Sequence, residues 1–306
     1  MSPISDTGPR FVWVDGGVRP AEGTHLSVFD RGFQLGDGIF ETLRARGGHT
    51  TELAEHVARL RRSADGLAIE LPVGVDALVS RGIADLLAAE GLDAPDADAS
   101  VRITVSRGAW SSRGLLPPRS VRLTATIVIQ AWPVTPAPAD HLERGLSLVA
   151  SAVRRDPANP IVTLKTTSRA DYVFARLEAR RAGAEDAVFL TMSGHLSEAT
   201  TANIFLVRRA PDGVIELATP ALDCAILPGT TRSWLLRWAL GVGLRPVEGW
   251  LTPDELATAS EAFMTSSVAG VLPVTRFNGH PIGDGRPGLW TLRARADREA
   301  VFGSGA

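Results

Sequence analysis

The stretch IVTLKTTSRAD holds Lys165, the only lysine in the 306-residue chain; every other one of the 32 Lys and Arg side chains is arginine. The two cations differ in one chemical respect. A guanidinium is effectively never deprotonated, whereas a lysine amine loses its proton when desolvated and can then attack a carbonyl. A position that keeps lysine where all others have become arginine is a candidate amine nucleophile. The plain alternative is a surface charge that survived by chance.

A lysine nucleophile commonly forms a Schiff base, and the usual reason for a permanent one is pyridoxal 5'-phosphate. That cofactor needs donors for its phosphate, an acid beside its ring nitrogen, and a cation or N–H groups for the substrate carboxylate. LPGTTRSWLL places Gly229, Thr230 and Thr231 at an expected helix start, where unpaired N–H groups and the positive dipole end face an anion. Arg59 in EHVARLRRS is a candidate phosphate cation, and Glu198 in GHLSEATTANIFLV is a candidate acid for the ring nitrogen. Taken singly, these are a capped helix, a solvated helix charge and a turn-edge glutamate.

Composition narrows the field. A formal charge of −2, a pI near 6.3 and an apolar fraction of 44% describe a globular chain with charges of both signs and no basic stripe for nucleic acid or anionic membrane. The six histidines and single cysteine show no metal-ligand spacing, so no metal is expected, and neither a GxGxxG nor a GxxxxGK[ST] element occurs. Cys224, within ALDCAIL, reads as a small buried hydrophobe. With no apolar core of signal-peptide length in MSPISDTGPR, a cytoplasmic location is expected.

Positioning elements follow from periodicity. FVWVDGGVRP reads as a hairpin, and LSVFDRGFQLGDGIFETLRAR as glycine-punctuated and strand-like at both ends. ELAEHVARLRRSADGLAI sets Val57, Leu60, Ala64 and Leu67 on one helical face; VDALVSRGIADLLAAEGL does the same with Val75, Leu78, Val79, Ile83 and Leu86. SVRITVSRGAW and SVRLTATIVIQAW alternate as paired strands. QAWPVTPAPAD supplies a proline-rich linker over 131–140, separating a smaller N-terminal α+β domain (1–130) from a larger C-terminal cofactor-binding domain (141–306). In the latter, SRADYVFARLEARRAGA is expected to be a helix burying Ala170, Val173, Phe174 and Leu177. Hairpins are expected at Ser193-Gly194, Asp212-Gly213 and in VTRFNGHPI, and Thr252-Pro253-Asp254-Glu255 has the capping-box spacing. The fold class is α+β in two unequal lobes.

Taken in order, FDRGFQLGDGIFETLR (29–44), EHVARLRRSA (55–64), TLKTTSRADY, AVFLTMSGHLSEATTANIFLV (187–207), ILPGTTR (226–232) and MTSSVAGVLPV (264–274) resemble the class IV aminotransferases. This is the fold type IV, D-amino-acid aminotransferase-like branch of pyridoxal phosphate enzymes, which includes branched-chain and D-amino-acid aminotransferases, (R)-selective amine transaminases and aminodeoxychorismate lyase. The resemblance implies that Lys165 carries the Schiff base and Glu198 meets the pyridine nitrogen. It implies that Arg59, Gly229, Thr230, Thr231 and Ser267 hold the phosphate, while Arg107, Ser266, Val268 and Leu35 bind substrate. Arg107, in TVSRGAW, is similar to the arginine that members acting on D-amino acids or aminodeoxychorismate set against a carboxylate. The implied activity is therefore transamination between an amino acid, D-amino acids favoured or an (R)-amine, and a 2-oxo acid. The alternative is 4-amino-4-deoxychorismate lyase, which releases pyruvate and 4-aminobenzoate and would use Arg107 with Arg113. Where many members carry a tyrosine soon after the lysine, this chain reads TTSRAD; Arg169 is the expected replacement, and the one tyrosine, Tyr172, lies further on. Leu35 stands where aromatic residues are common. A homodimer with its sites near the subunit interface is also implied.

Overall fold

A computed structural model describes residues 8–302 and divides into two compact units. The first comprises Met1–Thr135, Leu164–Ser168 and Val301–Ala306; the second comprises Pro136–Thr163 and Arg169–Ala300. The opening MSPISDT, which entered the expectation about location, lies outside the described residues.

The first unit runs β1 (Phe11–Val14), β2 (Gly17–Pro20), α1 (Arg31–Leu35), β3 (Gly38–Arg46), β4 (His49–Thr50), α2 (Leu53–Gly66), α3 (Val75–Glu90), β5 (Asp98–Ser106) and β6 (Thr126–Pro133). Its six-stranded sheet has the order β2-β1-β6-β5-β3-β4 and is antiparallel throughout. Alternation in β5 turns Val101, Ile103 and Val105 toward a core shared with Ile39 and Leu43 of β3 and Ile127 and Ile129 of β6. The expected helical stripes cover that face: Val57, Leu60 and Ala64 of α2 and Val75, Val79, Ile83 and Leu86 of α3 are buried in it. LSVF (26–29) forms no strand; Asp30 instead caps α1, its carboxylate accepting from the N–H of Gly32 at 2.8 Å. Residues 120–125 are likewise irregular, because β6 begins only at Thr126.

The second unit continues with α4 (Ala139–Arg144), β7 (Leu146–Arg155), α5 (Ala170–Arg181), β8 (Asp186–Thr191), β9 (Leu196–Ala199), β10 (Asn203–Arg209), β11 (Ile215–Pro220), α6 (Thr230–Gly241), β12 (Arg245–Gly249), α7 (Pro253–Ala257), β13 (Glu261–Ser266), β14 (Gly270–Phe277), β15 (His280–Pro281) and α8 (Leu289–Val301). The sheet order is β12-β11-β10-β13-β14-β7-β8-β9, with β15 on β14. Both of its faces are covered, which explains the unbroken apolar run NIFLV. Ile204 and Leu206 enter one core with Met264, whereas Phe205 and Val207 enter another with Leu235 and Ala239 of α6 and Ala294 of α8. The capping box at Thr252 and Glu255 forms as read. Helix α5 departs from the expected register: Val173, Phe174 and Leu177 are exposed, and Ala175 and Ala179 are buried against Ala187 and Phe189. The small side chains let the helix backbone approach the sheet closely, a preference that outweighs the larger apolar stripe. Helix α8 had no counterpart in the sequence reading.

Gly82 lets α3 lie close to its sheet, since a Cβ there would stand 2.7 Å from Trp13 Cε2 and 2.8 Å from Ile129 Cδ1. Gly82→Val is expected to cost about 1–3 kcal/mol of unfolding free energy through overpacking, measured by urea denaturation; an unchanged midpoint would contradict this packing.

Candidate active site

Lys165 sits on a short strap bound along β3. At its start β3 lacks β4 as a neighbour, because β4 pairs only with Ala45 and Arg46. The strap takes that edge: Ile39 bridges Thr166, Phe40 N–H donates to Lys165 O at 2.9 Å, and Thr167 N–H donates to Gly38 O at 2.9 Å. Lys165 N–H donates to Ser63 Oγ of α2 at 3.1 Å, and Thr167 Oγ1 donates to Gly36 O at 2.9 Å. Two glycines admit it. Gly36 adopts φ +65°, and its missing Cβ would lie 2.5 Å from Ser168 Oγ; one on Gly38 would lie 2.8 Å from Val105 O and 3.1 Å from Thr167 Oγ1. The backbone of Lys165 is thus fixed on both sides, and its Nζ lies over the Phe40 ring, 4.7 Å from the centroid. The Arg102 guanidinium lies over the same ring at 3.9 Å. The Phe40 ring thus carries one cation from the strap and one from β5, which flank β3 on its two edges.

Beneath the strap lies a buried ion cluster. Glu41 is 0% exposed and accepts from Arg59 Nε at 2.7 Å, Arg59 Nη2 at 2.6 Å and His56 Nδ1 at 2.8 Å. Burial alone would push its carboxyl up. The hydrogen bonds from Arg59 and His56, with the charges of Arg59 and Lys165, prevail and bring it down to about 2. Arg59, expected at the phosphate, therefore has its guanidinium held by Glu41. Arg107, expected at a substrate carboxylate, is held by Asp37 through Nε at 2.8 Å and Nη2 at 3.0 Å, and by the carbonyls of Leu67 and Ala68 at 2.6 and 2.7 Å. Among the described residues this leaves one of its five N–H groups uncommitted. Arg31 donates to the same Asp37 at 2.8 Å and to the carbonyls of Gly114 and Leu115. Burial raises the Asp37 carboxyl, and the two arginines more than reverse the effect. Leu35 ends α1 with its side chain exposed, and Arg113 is exposed as well.

The second unit holds the remaining candidates. The buried carboxylate of Glu198 accepts from Leu227 N–H at 2.8 Å, with Tyr172 Oη at 3.4 Å and Arg155 Nη2 and Asn203 Nδ2 each at 3.5 Å. Burial, then the Glu198 charge, pushes the Tyr172 phenol up to about 12. Gly229 caps α6 in an extended conformation, so the N–H groups of Thr230 and Thr231 open the helix. A Cβ on Gly229 would collide with Asn203 Oδ1, and Asn203 also donates to Leu227 O at 3.0 Å. One asparagine thus ties the acid to the helix start. Thr230 Oγ1 and Ser267 Oγ are 3.2 Å apart, and Ser266 Oγ accepts from Ala269 N–H, which folds 266–269, with Val268, into a turn. Arg169 donates to Thr200 O at 2.7 Å and stacks on Tyr172, its guanidinium carbon 3.2 Å from the ring centroid; burial lowers its proton affinity.

Sequence reading passed over Asp37, Glu41, Arg102, Arg155 and Asn203. Glu41 was legible. It lies between Ile39 and Leu43 on the buried face of β3, where a carboxylate requires a counter-charge. Arg102 carried no such mark, since strand alternation sets it on the face away from the core. Among the described residues no group of three or more His, Cys, Asp or Glu could hold a metal ion, and no helix is long and apolar enough to cross a membrane.

A family model for class IV amino-transferases matches residues 38–277, so the chain belongs to that family. It is 32% identical over 287 residues to a "Putative branched-chain-amino-acid aminotransferase" of Methanocaldococcus jannaschii, covering 93% of each chain. Its structure is similar to the branched-chain amino acid aminotransferase of Escherichia coli, with a TM-score of 0.87 at 26% identity, covering 96% of this chain and 95% of that one. The corresponding T.th. enzyme, crystallised with pyridoxamine 5'-phosphate, gives 0.86 at 29% identity over 96% and 94%. The chain is a fold type IV aminotransferase that uses pyridoxal 5'-phosphate. Each unit by itself holds groups that fit that cofactor: the first a lysine with a fixed backbone, the second a buried carboxylate able to accept from a ring N–H and a helix N-terminus flanked by hydroxyls.

Glu41→Gln removes the partner of a buried arginine and is expected to cost about 3–5 kcal/mol at pH 7. Because the folded carboxyl is depressed from 4.5 to about 2, its contribution is complete above pH 4.5 and fades as pH falls toward 2. The stability gap between parent and variant, measured by denaturant titration, should narrow across that interval. A gap constant from about pH 6 to about pH 3 would contradict the ionised cluster.

Proposed function

We propose that the protein transfers an amino group between a branched-chain or other aliphatic amino acid and a 2-oxo acid. The observation that carries this reading is the Lys165 strap on β3, with Arg102 sharing the Phe40 ring. When bound, pyridoxal phosphate supplies an aldehyde that captures the donor amine and a ring that takes up the electrons released at the donor's α-carbon. Lys165 Nζ would take the α-proton as a base and hand it, as an acid, to the former aldehyde carbon of the cofactor instead of back to the α-carbon. Glu198 accepts the hydrogen bond of the ring nitrogen. Gly229, Thr230, Thr231 and Ser267, with Arg59, supply the phosphate donors. Arg169 takes the place of the tyrosine that other members carry. Arg102 meets the substrate carboxylate, and Leu35, Ser266 and Val268 shape the side-chain pocket.

A D-amino-acid or (R)-amine preference rests on Arg107, and the lyase alternative on Arg107 with Arg113. Most of the Arg107 donors are committed to Asp37 and to the end of α2, and that favours the branched-chain reading, as do the names of the relatives. The residues from about 141 onward carry most of the phosphate and ring contacts in this proposal. A homodimer, drawn from the family resemblance, and a cytoplasmic location, drawn from the lone buried thiol of Cys224, complete it.

A panel of L-leucine, L-valine, D-alanine, (R)-1-phenylethylamine and aminodeoxychorismate, with 2-oxoglutarate as acceptor where one is needed, tests the assignment. Turnover of the L-donors is expected, and Arg102→Gln should lower their kcat/KM by about 100-fold, the loss of a charge-assisted contact. Faster turnover of D-alanine, or release of 4-aminobenzoate, would replace this reading with one of the alternatives.

A further inference from the structure

Helix α8 buries Thr291, Ala294 and Arg298, positions three and four apart that share one face. That seam runs into the core formed by Leu235, Ala239 and Ala294, where an apolar side chain would be the ordinary choice at 298. Arg298 is instead 0% exposed. Its guanidinium lies 5.2 Å from the Trp234 ring centroid, and its Nη2 donates to Thr231 Oγ1 at 3.3 Å. The neighbouring Asp297 accepts from Trp238 Nε1 at 2.8 Å, which fixes α8 against α6. A buried cation therefore stands directly behind the second residue of the helix start assigned to the phosphate.

We infer that Arg298 is a positioning residue for the anion cradle, acting through Thr231. A hydroxyl has one donor hydrogen and two acceptor sites. With Arg298 occupying an acceptor site, the Thr231 hydrogen turns away from α8 and becomes a stronger donor, because hydrogen bonds in series polarise one another. The buried positive charge also adds to the positive end of the α6 dipole. Both effects favour a phosphate dianion and neither acts on the uncharged part of the cofactor. The inference rests on the proposed role of Gly229, Thr230 and Thr231 as phosphate donors.

The test is rebinding of pyridoxal 5'-phosphate and of pyridoxal, which lacks the phosphate, to cofactor-stripped protein, followed by absorbance; the ratio of their dissociation constants is the phosphate preference. Thr231→Val should lower that preference by about tenfold, the size of one charge-assisted contact. Arg298→Met and Arg298→Gln should lower it by about as much with pyridoxal binding unchanged, while Arg298→Lys, which keeps the charge, stays within about threefold of the parent. If Thr231→Val leaves the preference intact, the cradle itself is misassigned and this inference falls with it. If Thr231→Val lowers the preference and both neutral variants at 298 do not, the cradle stands and Arg298 has no part in it. A fall in pyridoxal binding equal to that of the phosphate ester, a lysine variant as poor as the neutral ones, or failure of both neutral variants to fold would make Arg298 a packing residue and overturn the inference.

Discussion

The rest of the site depends on how Lys165 is held. A lysine side chain has four flexible bonds, and an amine that must react at one point in space needs a backbone that does not wander. Here the backbone is fixed by completing a sheet. The first residues of β3 offer an edge that β4 does not reach, and the strap takes it through Phe40 and Gly38 while Ser63 holds it from α2. The glycines of the GDG segment keep that edge open, since side chains at 36 and 38 would meet Ser168 and Thr167. The GDG segment and Lys165 lie about 130 residues apart in sequence, yet their pairing is one local piece of β geometry.

A second constraint is electrostatic. Three carboxylates near candidate positions, Asp37, Glu41 and Glu198, are each met by arginine: Arg31 and Arg107, Arg59, and Arg155. Burying a carboxylate without such partners would neutralise it, and a neutral Glu41 would leave Arg59 unmatched. Arginine suits these tasks because its planar fork can serve a carboxylate and a carbonyl together, as Arg107 does. Replacement of lysine by arginine elsewhere in the chain is compatible with that use. Only position 165 departs from it.

Much of this was legible in the sequence. The stripes of α2 and α3, the paired strands β5 and β6, the capping box of α7 and the helix beginning at Thr230 all follow from local pattern, and the lysine stood out by composition alone. What escaped depended on tertiary packing. Helix α5 turned its alanines inward because the sheet beneath it demanded close approach, and α8 put an arginine where its seam suggested an apolar residue. Arg107 looked like a substrate cation because its motif said so. The structure shows Asp37, Leu67 and Ala68 around it, and no spacing rule relates 107 to 37. The sharing of the Phe40 ring by Lys165 and Arg102 was equally out of reach, since it depends on the strap and β5 flanking β3 on its two edges.

The central claim is that the amine of Lys165 is the group that condenses with the cofactor. Reduction of the holoenzyme with borohydride, followed by proteolysis and mass spectrometry, tests it most directly. The account predicts loss of the yellow absorbance and a phosphopyridoxyl mass addition on the peptide containing Lys165. A reduced protein whose cofactor is released unattached, or attached at the N-terminal amine, would contradict it.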